Sequence, residues 1–166
     1  SSKEYGAAIE TTSLSEDTPL CPTDFYGVSK FAAELIGKQY HRQFGMDIRF
    51  TRSFNHTGPG QSPRFVCSEW AKHVAEIEIG RAEPQLRVGN INHDIDFTDV
   101  RDVVRAYTRI LDKGTPGESY NVCSGKAVSL RSILNYLCRK SMKAIAISET
   151  AQKERAHKTS QIGRAS

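Results

Sequence analysis

"CPTDFYGVSKFAAELIGKQY", residues 21–40, decides how the rest of the chain is read. Apolar residues at Phe31, Leu35, Ile36 and Tyr40 recur at helical spacing, so a helix is predicted over residues 25–44. Asp24 stands where a carboxylate caps a first turn, and Gly45 where a glycine ends a helix. Tyr26 and Lys30 are four apart on that helix. They therefore share a face, with Cβ atoms roughly 5–6 Å apart. A phenol in water ionises only at about pH 10. A neighbouring ammonium favours the phenolate, and such a pair can exchange a proton with a hydroxyl or a ketone. Spacing alone does not make a pair catalytic. Tyr136 and Lys140, in "NYLCRKS", repeat it, and a solvated helix face accounts for either copy.

Outward from this helix, strands and helices alternate. "MDIRFTRSF" (46–54) alternates like a strand, and "NHTGPGQSP" (55–63) is a polar loop. Helices are predicted over 64–80, over 98–114 with Asp99 in the first turn, and over 129–141 with Ser129 as cap. Short strands are predicted at 84–89, 95–97, 117–125 and 143–148. The alternation indicates an α/β fold with a largely parallel sheet.

With 166 residues, 25% charged and 38% apolar, the chain has the composition of one globular unit. A net charge of +4 suits an anionic ligand but is no more than solubility requires. The basic cluster "AQKERAHK" lacks interleaved aromatics, so no nucleic-acid signature is present. No apolar run reaches membrane length. The four cysteines show no metal-ligand spacing, and such scattered thiols fit a reducing, cytoplasmic setting. The chain opens "SSKEYG" without an initiator methionine and stops in mid-pattern, which reads as a piece of a longer protein.

Five stretches occur in order: "SSKEYG" (1–6), "PTDFYGVSK" (22–30), "RSFNHTGPG" (52–60), "DFTDVRDVV" (96–104) and "YNVCSG" (120–125). Together they resemble the extended short-chain dehydrogenase/reductases that act on nucleotide sugars, the NAD-dependent epimerase/dehydratase family. Tyr136 lies outside all five. The resemblance implies the C-terminal part of a Rossmann-like, doubly wound parallel sheet plus a smaller substrate-binding lobe. Residues 1–56 would form the catalytic part and 57–166 mostly the nucleotide-sugar part of a single fragment.

The implied activity is NAD(P)H-dependent reduction of the C4 keto group of a nucleotide sugar, with a GDP-sugar favoured and NADP or NAD as cofactor. Dehydration and 4-epimerisation are the variants within the family. The resemblance implies Ser1, Tyr26 and Lys30 as catalytic, with Tyr26, Lys30 and His56 at the cofactor. Asn55, Lys72, Arg87 and Arg155 would meet the substrate. No metal is implied, and the complete family proteins are usually homodimers, with Phe31, Leu35 and Trp70 as candidate interface residues.

Two departures bear on this reading. The dehydratases place a glutamate two residues after the catalytic Ser/Thr, where this chain has Lys3; Glu4 is one step off, which on a strand turns it to the opposite face. Reduction is therefore preferred to dehydration. Ile95 stands where the family carries a diphosphate-binding arginine, so Arg87, His93 or Arg155 would have to compensate. The Gly-rich dinucleotide fingerprint is absent, so this segment alone is expected to bind NADP(H) weakly and to be inactive. A reading of another class, a non-catalytic truncated relative that binds a nucleotide or a partner, competes with the enzyme.

Overall fold

A computed structural model describes residues 1–10 and 14–150, residues 7–10 by backbone only. Arg155 and the basic "AQKERAHK" cluster lie outside the described residues.

The chain begins with 3-10 turns over Ser2–Glu10, broken at Gly6. Helix α1 then runs over Phe25–Phe44. Its ends are those the sequence implies. The Gly27 N–H donates to Asp24 Oδ1 at 2.6 Å, and Gly45 closes the helix at φ 65° with its N–H on the His41 carbonyl. Strands β1 (Phe50–Ser53) and β2 (Asn55–Thr57) follow, then α2 (Val66–Glu78), β3 (Gln85–Val88) and β4 (Asp94–Asp99). The described chain is completed by α3 (Val100–Lys113), β5 (Ser119–Val122), β6 (Ala127–Ser129), α4 (Leu130–Arg139) and β7 (Ala146–Glu149). Among the described residues no helix is long and apolar enough to cross a membrane.

The pairings β1–β5, β2–β4 and β3–β7 are parallel, as the alternation predicts. β6 is the exception. It lies antiparallel on β4 and sets Ile95 opposite Val128. Three expectations change. Residues 46–49 are not in a ladder, because the pairing of β1 with β5 starts at Phe50, opposite Ser119. Asn55–Thr57, read as loop, forms β2: a parallel neighbour satisfies backbone groups whatever the side chains. Ser129 occupies the N-cap position of α4, yet its side chain makes no capping bond. Instead the Leu130 N–H donates to the His93 carbonyl at 3.2 Å.

Two cores result. The larger joins Trp70, Val74 and Ile77 of α2 to Leu86 and Val88 of β3 and to Leu130 and Leu134 of α4. Trp70, a candidate interface residue, is buried there. The smaller core is Tyr5, Leu14 and Phe54.

Beside the smaller core lies a buried polar hub. Arg52 of β1 donates to Glu34 of α1 through Nε at 3.0 Å and Nη2 at 2.7 Å. Ser119 of β5 donates to the same carboxylate at 2.8 Å, and the Lys38 ammonium lies 2.8 Å from it. Arg52 Nη1 reaches the Tyr5 hydroxyl at 3.0 Å, and that hydroxyl donates to Asn121 Oδ1 at 2.7 Å. Burial opposes ionisation of Glu34, but the bonds from Arg52, Lys38 and Ser119 outweigh it and hold the carboxyl at about 2.

Removing one partner of a buried pair leaves an uncompensated charge. Arg52→Met is expected to lose about 3–5 kcal/mol in urea unfolding, and adding Glu34→Leu should recover much of that. The Glu34 carboxyl ionises more readily folded than unfolded, so its contribution is complete above 4.5 and is lost as pH falls towards 2. That contribution is about 3 kcal/mol, and a pH series of unfolding midpoints should show the stabilisation gained between pH 2 and 4.5 reduced in Arg52→Met, where Lys38 and Ser119 alone face the carboxylate.

Candidate active site

The Tyr26–Lys30 pair lies in the first turns of α1, with Lys30 Nζ 5.4 Å from the centroid of the Tyr26 ring. Tyr136 and Lys140 meet in the same way at 5.0 Å. Geometry within the pair thus follows from the helix and distinguishes neither copy. Surroundings distinguish them. The opening segment packs on α1 at Gly27, the residue after Tyr26. A Cβ at Gly27 would stand 2.5 Å from the Lys3 carbonyl oxygen. This glycine lets the segment that carries Ser1 lie against the turn that carries Tyr26. The Ser1 hydroxyl accepts the Lys3 N–H at 3.3 Å.

Lys3 and Glu4 were expected to point to opposite faces of a strand. The segment is instead wound in 3-10 turns. Glu4 is buried beside Glu34, while Lys3 is half-buried. Burial pushes the Glu4 carboxyl up, with help from Glu34.

Asn55 and His56 lie exposed on β2, opposite Phe97 and Thr98 of β4. The His56 ring is held by its Nδ1, 3.0 Å from the Phe54 carbonyl oxygen. Lys72 lies on α2 and Arg87 on β3, two of the elements around the larger core. Lys72 pairs with Glu76 on the exposed face of α2 at 3.6 Å. Arg87 stands on the exposed face of β3, opposite Ser148. Ile95 packs on the lobe core and is no substitute for a cation.

Tyr26 and Lys30 present exposed polar tips beside one another, which fits the nicotinamide-ribose end of a dinucleotide. Nothing in the sequence fits the pyrophosphate end, since no Gly-rich fingerprint is present.

Two residues escaped the sequence reading. Arg52 was quoted within a motif without a partner. Asp96, fully buried, accepts the Ser124 N–H at 2.9 Å, the Ser124 hydroxyl at 2.6 Å and the Gly125 N–H at 2.8 Å. It thereby fastens the "YNVCSG" turn to β4. A charged residue at an inward strand position was the available signal in both cases.

An α/β unit of parallel pairings with a Tyr-x-x-x-Lys helix at one edge defines a Rossmann-like dehydrogenase/reductase class. The chain belongs to the extended short-chain dehydrogenase/reductases, and the family described as GDP-mannose 4,6 dehydratase matches residues 1–165. It is 38% identical over 134 residues to the GDP-6-deoxy-D-mannose reductase of Pseudomonas aeruginosa, covering 80% of this chain and 44% of that protein. It is 33% identical over 147 residues to the GDP-mannose 4,6 dehydratase of Dictyostelium discoideum, covering 89% of this chain and 40% of that one. The structure of RMD from Pseudomonas aeruginosa complexed with NADPH superposes with a TM-score of 0.88 at 33% identity, covering 99% of this chain and 54% of that one. This chain therefore spans about half the length of these relatives or less.

Gly27→Ala should destabilise the fold by about 1–3 kcal/mol through the clash with the Lys3 carbonyl, although alanine is the better helix former. A lowered urea midpoint checks this; an unchanged or raised one would show that the segment yields freely.

Proposed function

We propose that this chain is the catalytic and substrate-binding part of an NAD(P)H-dependent nucleotide-sugar reductase. The favoured reaction converts GDP-4-keto-6-deoxy-D-mannose to GDP-D-rhamnose. The observation that carries the reading is the seating of the Ser1 segment on α1 at Gly27, beside Tyr26 and Lys30. The likeness to the Pseudomonas aeruginosa reductase supports it. Residues 1–56 supply the catalytic part and 57–166 mostly the nucleotide-sugar part.

Tyr26 and Lys30 would hold the nicotinamide end of the cofactor, which when bound would supply a hydride for C4. Tyr26 donates its phenolic proton to the oxygen that gains charge there. The Lys30 ammonium favours the charge left on the phenolic oxygen and holds a ribose hydroxyl. The Ser1 hydroxyl donates to the same sugar oxygen, so two donors meet the developing alkoxide. His56 would line the nicotinamide side of the site. Asn55 binds the sugar or its phosphate through an amide that both donates and accepts. Lys72 binds on the nucleotide side, and Arg87, His93 or Arg155 supplies the diphosphate contact that Ile95 cannot. The complete protein pairs as a homodimer through α1, whose Leu35, Ile36, Tyr40 and Phe44 are exposed.

The second reading is dehydration of GDP-mannose, favoured by the family match and the Dictyostelium relative. Lys3 opposes it, standing where the dehydratases carry their glutamate, and the nearby Glu4 carboxyl is buried.

The test joins this chain to a Gly-rich dinucleotide-binding half and follows NADPH oxidation with GDP-4-keto-6-deoxy-D-mannose. Tyr26→Phe should lower turnover on the order of 10²–10⁴-fold, while Tyr136→Phe should leave it unchanged. Equal turnover in both variants would sink the assignment of Tyr26, and conversion of GDP-mannose instead would establish the dehydratase.

A further inference from the structure

The polar loop between β2 and α2 contains a device that the proposed mechanism does not use. Residues 58–61, Gly-Pro-Gly-Gln, fold as a tight turn. The Gln61 N–H donates to the Gly58 carbonyl at 3.2 Å, and Gly60 sits at φ 84°. Proline at the second position and glycine with positive φ at the third mark a type II turn. That turn type makes no demand on its fourth residue, so the choice of glutamine needs another reason.

The Gln61 side chain supplies one. Its Oε1 accepts the Thr57 hydroxyl at 2.7 Å and the Ser68 hydroxyl at 3.1 Å. Its Nε2 donates to the His56 carbonyl at 3.0 Å. One amide therefore bridges the end of β2 to the first turn of α2. The joint lies between the groups proposed to bind the nucleotide sugar. Asn55 and His56 are on β2, and Lys72 is four residues after Ser68, on the same face of α2.

We propose that Gln61 is a positioning residue. It holds the strand carrying Asn55 and His56 at a fixed separation from the α2 face carrying Lys72, so both sides of the cleft meet the nucleotide sugar pre-set. This rests on the reductase reading above. An amide is required because the joint needs an acceptor for two hydroxyls and a donor for a carbonyl on one side chain. A carboxylate keeps the first role and loses the second. An apolar chain of equal length loses both.

The experiment compares wild type, Gln61→Glu and Gln61→Met in the chain joined to its cofactor-binding half. It reads kcat, KM for the nucleotide sugar, melting temperature, and amide hydrogen exchange over residues 55–68. Loss of pre-set geometry weakens ground-state binding, so KM should rise on the order of tenfold in Gln61→Met. Gln61→Glu should fall between it and wild type. kcat and melting temperature should stay near wild type, and exchange over 55–68 should quicken in the same order. Unchanged KM in Gln61→Met overturns the proposal. So does a KM rise that comes with a matching fall in melting temperature, which marks a purely structural role. If the wild type turns over no nucleotide sugar, the reductase reading fails and exchange decides the joint alone: faster exchange in Gln61→Met sustains it, unchanged exchange overturns it.

Discussion

The salt bridge between Glu34 and Arg52 is the contact on which the remaining geometry depends. Helix α1 buries only Gly27 and Glu34 among its own residues. It is therefore not held to the body by an apolar stripe, the usual means for a surface helix. A close-approach glycine at one end and a two-pronged ion pair near its middle do that work. Apolar contacts tolerate sliding, whereas a guanidinium gripping a carboxylate through two nitrogens admits one arrangement. The helix bearing Tyr26 and Lys30 is thus fixed in register as well as in contact.

From Arg52 the network runs through the Tyr5 hydroxyl to Asn121, so α1, β1, β5 and the opening segment share one set of bonds. Tyr5 is four residues from Ser1. The same bonds that seat the Tyr-Lys helix also seat the segment of the candidate serine. Asp96 plays the corresponding part for the turn after β5, which it ties to the strand beside Asn55.

Much of the fold was legible where local chemistry sets it. α1 begins at Asp24 and ends at Gly45 because a carboxylate and a left-handed glycine stop a helix wherever they stand. β2 and β6 were not legible, because their strand character comes from β4 lying between them and not from their own side chains. Nothing local marks Glu34, since its partner is eighteen positions away and on a strand. The Tyr-Lys pair was visible twice, at Tyr26 and Tyr136, and the two copies adopt nearly the same geometry. Only the neighbouring motifs singled out the first. Gln61 was hidden for the opposite reason: its turn was obvious, and the turn concealed what the side chain joins.

The hub blurs the usual division between residues that make a protein stable and residues that make it act. Asn121 is buried, remote in sequence from the candidate site, and bonded through its side chain to the Tyr5 hydroxyl and the Leu14 carbonyl. Yet it helps fix Tyr5, and Tyr5 helps fix the segment that holds Ser1. In a mutational scan scored on activity alone, Asn121 and Ser1 would be indistinguishable. A scan scored on abundance as well would separate them, with Ser1 variants abundant and Asn121 variants depleted.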